Sequence, residues 1–436
     1  HSILIKSYLF HGIVLELVNI VLNTIKKMIH QKRRQELLSR LSDNAVVIVS
    51  SNSEQKRNSD VNYPFRPDSS FWYLTGFTEP DAIAVFSKKN YSIFLRPKDK
   101  TKEIWNGKRL GVKSAPKVLL ADNAYSIDDF LKTIHKLIDK NNLVYFDDFS
   151  TNKLNENITS ILANVAKSLN PVISEMRLIK DSTEIQNMQT AANLAAKAHM
   201  TAMTKVSPGL YEYHVAAEID AEFRAGNSDH AYPPIVASGK NSCILHYTEN
   251  NKILNDGDLL LIDAGCESLG YASDITRTFP INGRFSKAQK QIYQIVLSAQ
   301  KSAIASIKPG EKVNTPHEIA CDIISRELTK LGIMKELNNL NEFYMHKTGH
   351  WLGLDVHDVG EYKIDNDFRD FKEGMVTTVE PGIYIRKNDK IDPKYWNIGI
   401  RIEDDVLVTK DGNHVLSKSA VKEVKDIEYL MSQNIT

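Results

Sequence analysis

The sequence predicts an α/β domain followed by a larger α+β domain that contains an internal pseudo-two-fold duplication. Three patterns carry this reading. Strands and helices alternate from Gln31 to about Leu169. Helix, Pro-Gly, helix then occurs twice, broken at Ser207-Pro208-Gly209 and again at Lys308-Pro309-Gly310. Finally, a glycine, an apolar strand, an acid and a second glycine recur at one spacing: Gly257, Asp263 and Gly265, then Gly374, Glu380 and Gly382. One such match would be weak, but two in the same order point to related halves.

In the first domain, 28–174, Gln31–Leu41 reads as a basic helix. Ala45–Val49, Phe71–Leu74, Ala82–Phe86 and Tyr91–Leu95 read as strands, from their short apolar runs bounded by turn residues. Ile127–Lys140 reads as a helix, Leu143–Phe146 as a strand and Leu154–Leu169 as a helix. Pro171 and the basic segment Arg177–Lys180 read as the linker into the second domain, 175–436. There Ser182-Thr183-Glu184 offers helix-capping chemistry. Helices are predicted to about Val206, over Tyr211–Ala225, over Lys287–Ile307 and over Thr315–Leu331.

Composition bounds the function. A chain of 436 residues holds two to three domains of roughly 150 residues. Hydrophobic residues at 42% and charged residues at 25% exclude a disordered or fibrous protein. Lys+Arg at 55 against Asp+Glu at 54 leave a net charge of +1, without the basic excess of a nucleic-acid binder. Cys243, Cys266 and Cys321 are too few and too scattered for a disulfide framework, so the expected compartment is the reducing cytoplasm. Residues 1–27 hold the apolar run Ile13-Val14-Leu15, but Glu16 and Asn19 interrupt it. That is too short and polar to span a membrane, and it lacks the basic start and cleavage site of a secretory signal. We read it as a vector-derived or upstream-translated extension, with Met28 as the natural start. No membrane association is expected.

The repeated acids carry the chemistry. Asp263 ends the strand Leu259–Ile262, and a strand Tyr271–Phe279 contains Asp274. A hairpin turn centred between Ser268 and Leu269 would set Asp263 directly opposite Asp274, with Cβ atoms about 4.5–5.5 Å apart. Two carboxylates that close are unfavourable unless a proton or a cation sits between them. In the second half Glu380 ends Met375–Val379, and Ile398–Glu403 alternates so that Arg401 and Glu403 share a face. The repeat matches Glu380 to Asp263 and Glu403 to Asp274. His350, in His346-Lys-Thr-Gly-His350, joins them. Each residue alone has a bland reading as turn former, strand end or solvated face. Together they form an oxygen-rich, thiolate-free donor set that suits Mn²⁺, with Co²⁺, Fe²⁺ or Zn²⁺ as alternatives. The five ligands suit two ions about 3.5–4 Å apart. His246 follows Ser238-Gly239 at nearly the distance by which His357 follows Thr348-Gly349, so these histidines read as flanking the centre. They are suited to holding an oxyanion or moving a proton, with a packed core histidine as the alternative.

The stretches Asp263-Ala-Gly-Cys, Ser273-Asp274-Ile-Thr-Arg-Thr-Phe279, His346 through Gly360, Thr378-Val-Glu380-Pro-Gly and Gly399-Ile-Arg-Ile-Glu403 resemble the pita-bread metallopeptidases. Within them the resemblance is closest to the aminopeptidase P group, over about residues 28–430. It implies metal ligands at Asp263, Asp274, His350, Glu380 and Glu403, holding two Mn²⁺. It implies removal of the first residue from peptides with proline second, by a water activated between the ions. Glu380 would relay the proton and His246 would hold the oxyanion. His346, His357, Tyr232 and Trp351 would shape the substrate pocket, and Arg401 would stand behind the ligands or at the substrate. The resemblance also implies homodimers or homotetramers, and in them Trp105 could reach a neighbouring subunit's site. The rivals are a prolidase, restricted to Xaa-Pro dipeptides, and a catalytically silent pita-bread binding module.

Overall fold

The computed structural model describes residues 28–147, 158, 166–335 and 337–433. The extension 1–27 and most of the helix expected over 154–169 lie outside them. The chain forms two compact units, divided between Met176 and Arg177.

The first unit is built on a six-stranded mixed sheet. Its strand order is Asn123–Ser126, Tyr91–Leu95, Ile83–Phe86, Ala45–Ser50, Leu143–Phe146, Ala166–Ser168. Ile83–Phe86 pairs antiparallel with both Tyr91–Leu95 and Ala45–Ser50, and the remaining three pairings are parallel. Ile48, Ile83, Phe94 and Phe146 cover one face and pack on Phe130 and Ile134. Two expectations fail here. Phe71–Leu74 is not a strand but lies in the helix Ser69–Thr75, where Asp68 accepts from the Phe71 backbone N–H and Gly76, at φ 66°, ends it. Phe71, Tyr73 and Leu74 are all buried, and a run apolar on every side carries no periodicity to tell helix from strand. Ala166–Ser168, placed within a helix by the sequence reading, is an edge strand.

The presumed linker is a helix, Asn170–Leu178. Arg177 and Lys180 are buried, because Asp358 accepts from both, at 2.6 and 3.1 Å, and Asp355 accepts from Arg177 at 2.7 Å.

In the second unit the helices Ser182–Lys205, Glu212–Ala225, Lys287–Ser306 and Thr315–Lys330 form much as expected. Asp181 rather than Ser182 caps the first of them, in a reciprocal capping box with Glu184. The duplication is explicit in the sheets. In the first copy Leu259–Asp263 pairs antiparallel with Thr276–Pro280. In the second Val376–Val379 pairs antiparallel with Asp404–Thr409. Each copy inserts a strand just after its acid, Cys266–Ser268 three residues on or Gly382–Ile385 two residues on, which pairs antiparallel with Tyr271–Ala272 or Ile398–Arg401. A short break, 273–275 or 402–403, then leads into the last strand. Asp274 and Glu403 sit in those breaks, not within continuous strands. Behind them Ile262, Phe279, Ile292 and Ile400 belong to one apolar core.

Candidate metal centre

The register differs from the one the sequence suggested. Leu269 and Gly270, at φ 53° and 82°, are the central residues of the hairpin turn, and a tight hairpin takes positive φ at both. The turn therefore lies one residue later than expected. Asp263 faces Thr276, and Asp274 falls two residues short of it. A shift of two keeps the side-chain face. Accordingly the Tyr232 hydroxyl lies 2.6 Å from Asp263 Oδ1 and 2.5 Å from Asp274 Oδ1. Gly265 permits this fold, since a Cβ there would stand 1.7 Å from the Ser273 carbonyl oxygen.

The four acids and His350 converge. Ligand atoms of Asp274, His350 and Glu403 all lie within 4.8 Å of one another. His350 Nε2 is 3.3 Å from Asp274 Oδ2 and 3.7 Å from Glu380 Oε1. His350 Nδ1 stands 3.0 Å from the Trp351 carbonyl, which can only accept, so Nδ1 carries the proton and Nε2 offers its lone pair to the acids. Asp263 is held by Arg401 Nη2 at 2.6 Å. Thr276 Oγ1 donates to Glu403 Oε2 at 2.6 Å and accepts from Arg401 Nε at 3.0 Å.

The electrostatics ask for cations. Burial first, and then the charge of Asp263, hold the Asp274 carboxyl well above the usual range. Burial and then Asp274 do the same to Glu403. Burial and then Glu403 push Glu380 up to about 8. One guanidinium and one imidazole cannot offset four clustered carboxylates, so protons or divalent ions must sit among them. The set is all oxygen apart from one imidazole, which fits hard or borderline divalent ions.

A cavity of about 920 Å³ opens over the acids, with Pro233, Ile235, Leu245, Phe368 and Phe371 on its apolar walls. His246 and His357 are exposed and line it. Burial, and then the charges of His350 and His246, lower the His357 pKa. The His357 ring lies 4.3 Å from that of His350, edge-on at 80°. His346 stands 3.7 Å from Glu380 Oε2. Its Nδ1 donates to the Lys347 carbonyl at 2.8 Å, so its Nε2 accepts from the Tyr384 hydroxyl at 2.8 Å. That hydroxyl in turn accepts from Arg401 Nη1 at 2.9 Å. Burial and the Arg401 charge push His346 down to about 4, which keeps it neutral.

Three residues expected at the substrate, Arg401, Tyr232 and Trp351, do line the cavity, and each is also tied into the surrounding structure. Arg401 is buried, and its guanidinium is engaged by Asp263, Tyr384 and Thr276. Tyr232 lines the cavity and directs its hydroxyl at Asp263 and Asp274. Trp351 is 1% exposed and stacks on Tyr362 at 5.1 Å, a core residue beneath the cavity. The sequence reading missed Tyr384, Thr276 and Asp405; both Asp405 oxygens lie 3.2 Å from the Asp274 backbone nitrogen. Only the alternation of Gly382-Ile-Tyr384-Ile against Ile398–Arg401 hinted at Tyr384.

Residues 186–410 match metallopeptidase family M24, and residues 30–145 match the N-terminal domain of aminopeptidase P. The chain is 44% identical to the Xaa-Pro aminopeptidase of Haemophilus influenzae, over 92% of this chain and 96% of that one. It is 42% identical to the Xaa-Pro aminopeptidase of Escherichia coli, over 94% and 99%. Among solved structures it superposes on the Pseudomonas aeruginosa aminopeptidase PepP with a TM-score of 0.89, at 40% identity over 94% and 98% of the two chains. A variant of Escherichia coli aminopeptidase P in complex with substrate gives 0.88, at 39% identity over the same shares.

Proposed function

From the premise that this chain belongs to metallopeptidase family M24, we propose that it is an Xaa-Pro aminopeptidase, removing the first residue from peptides with proline second. The observation that carries the reading is the convergence of four carboxylates with an imidazole whose free lone pair faces them, inside a two-unit framework matching aminopeptidase P along its length. Two Mn²⁺ per subunit are proposed. Asp263, Asp274, His350, Glu380 and Glu403 would hold them. When bound, the ions supply a Lewis acid for the scissile carbonyl and a water acidic enough to attack near neutral pH.

The chain's own residues do the rest. Arg401 and Tyr232 hold Asp263 in place. The Trp351 carbonyl accepts from His350 Nδ1 and so turns Nε2 toward the acids. The scissile amide of an Xaa-Pro bond has no N–H, so its nitrogen must gain a proton to leave. Glu380 relays that proton through its carboxylate oxygens. His246 donates to the oxyanion, while His357 and His346 line the pocket that receives the proline.

No helix among the described residues is long and apolar enough to cross a membrane. A cytoplasmic location is proposed from the free cysteines. A homodimer or homotetramer is proposed as well, with Trp105, 82% exposed beside Ile104 at 83%, as a contact residue.

The test pairs metal analysis of protein purified without chelator with cleavage of Arg-Pro-Pro and Gly-Pro. Bound divalent metal and release of arginine from the tripeptide are expected. Cleavage of Gly-Pro alone would make the protein a prolidase, and cleavage of neither would end the reading.

A further inference from the structure

His246 is exposed and makes no hydrogen bond to a described residue, so its place over the cavity is inherited from the backbone that carries it. That backbone runs from Ser238 to Lys252, and one buried carboxylate gathers it. Glu212 opens the helix Glu212–Ala225 and is 0% exposed. Its Oε1 accepts from the Ser238 N–H at 2.8 Å, the Ser238 hydroxyl at 2.7 Å and the Asn241 amide at 3.2 Å. Its Oε2 accepts from the Tyr247 hydroxyl at 2.7 Å and the Lys252 N–H at 3.0 Å. The Glu212 N–H donates back to the Lys252 carbonyl at 2.9 Å. One side chain thus ties down the start of the segment, its end and the residue next to His246.

We propose that Glu212 is a positioning residue of the reaction, setting His246 over the scissile carbonyl through the Ser238–Lys252 segment. The inference rests on the aminopeptidase reading above and extends it to a residue that touches neither metal ligands nor substrate. Only an acceptor-only group answers five donors. Glutamine would turn an amide NH₂ toward Lys252 N–H, which cannot rotate away, or toward the Ser238 and Asn241 donors. A displacement of about 1 Å in a catalytic group can cost roughly 10²-fold in rate.

The experiment uses the full chain loaded with Mn²⁺ and compares Glu212→Gln, Tyr247→Phe, His246→Ala and the two double variants with His246→Ala. Measured are kcat and KM for Arg-Pro-Pro, metal content, and backbone hydrogen exchange over 239–252. Glu212→Gln should lower kcat about 10- to 100-fold, and Tyr247→Phe by a smaller factor. Exchange should rise in that segment, with metal content unchanged. In the His246→Ala background both substitutions should change kcat by less than about twofold. The same fold-loss with and without His246, or unchanged exchange in 239–252, would overturn the proposal. Should Glu212→Gln not fold, Tyr247→Phe decides in the same way. An absence of cleavage by the unmutated enzyme would sink the aminopeptidase reading instead, and the exchange data would still decide the clamp.

Discussion

The two copies of the duplicated sheet place acids at matching positions and treat them differently. In the first copy both are aspartates, and both are already gripped by the protein. Asp263 takes Arg401 and Tyr232, and Asp274 takes Tyr232 and has its backbone N–H received by Asp405. In the second copy both are glutamates with looser company. Glu403 takes one hydroxyl, from Thr276. Glu380 faces His346 and His350 at 3.7 Å each, beyond hydrogen-bond reach, with no closer donor among the described residues. The short side chains are thus held by hydrogen bonds within the protein itself. Glu380 is the least satisfied of the four, which fits the proton relay proposed for it. The registers differ as well: the strand carrying Asp263 faces Thr276, two residues past Asp274, whereas the pairing of Val379 with Asp404 sets Glu380 level with Glu403.

The largest effect should come from attacking that contrast directly. Asp274→Ala or Glu403→Ala should strip the metal and lower cleavage of Arg-Pro-Pro by more than about 10³-fold, read by metal analysis beside kcat. Glu380→Gln should keep much of the metal yet lower kcat by at least about 10²-fold, with KM little changed. If Glu380→Gln loses metal as completely as Asp274→Ala, the two copies do the same job and the contrast is broken.

The next effect is on stability and has a sign. Without metal, Glu380 has its pKa raised to about 8, burial being the first cause and Glu403 the second. In the unfolded chain an ordinary glutamate ionises near 4.3. Between those values the folded state binds the proton that the unfolded state has released. Metal-free stability therefore falls as pH rises from about 4.3 through 8, by up to a few kcal/mol from this group. Asp274 and Glu403 shift in the same direction. Divalent ions replace those protons, so the rise in Tm on adding Mn²⁺ should be clearly larger at pH 8 than at pH 6. Thermal melts at both pH values, with and without chelator, check it. An equal gain at both would mean the acids are not protonated in the metal-free state.

How far the sequence told this story depends on what kind of signal each feature leaves. The duplication and all five converging residues were legible, because a repeat at fixed spacing survives without knowledge of contacts. The hairpin register was not: Leu269 is an unusual residue for positive φ, so the turn was centred one residue early. Phe71–Leu74 misled because a fully buried run has no periodicity. Arg177 and Lys180 passed for a basic linker because their partners, Asp355 and Asp358, lie more than 170 residues away. Glu212 and Tyr384 share that problem. Their roles exist only as long-range hydrogen bonds, and an acid at a helix start already has a local explanation in the helix dipole.

A smaller effect probes the grip on the first copy. Tyr232→Phe removes the hydroxyl shared by Asp263 and Asp274 while leaving the ring. Losing such a supporting hydrogen bond costs about 10- to 100-fold in metal affinity. The variant should therefore need proportionately more Mn²⁺ for half-maximal activity while approaching the normal kcat at saturation. A lowered kcat at saturating metal would instead give Tyr232 a part in the reaction itself.

The smallest effect should fall on Cys266, and the copies say why. Three residues after Asp263 comes Cys266, and three after Glu380 comes Ile383; both begin or follow the start of the inserted strand, and both are 0% exposed. An isoleucine at the matching position marks this as an apolar packing site. The thiol donates to the Ala191 carbonyl at 3.3 Å, and burial pushes its pKa up to about 11. It therefore stays protonated and unreactive at neutral pH. Cys266→Ala should cost about 1 kcal/mol of stability and leave kcat/KM within about twofold. The thiol should resist alkylation at pH 8 in the folded protein. Fast alkylation with loss of activity would show that the first copy has a reactive group with no counterpart in the second.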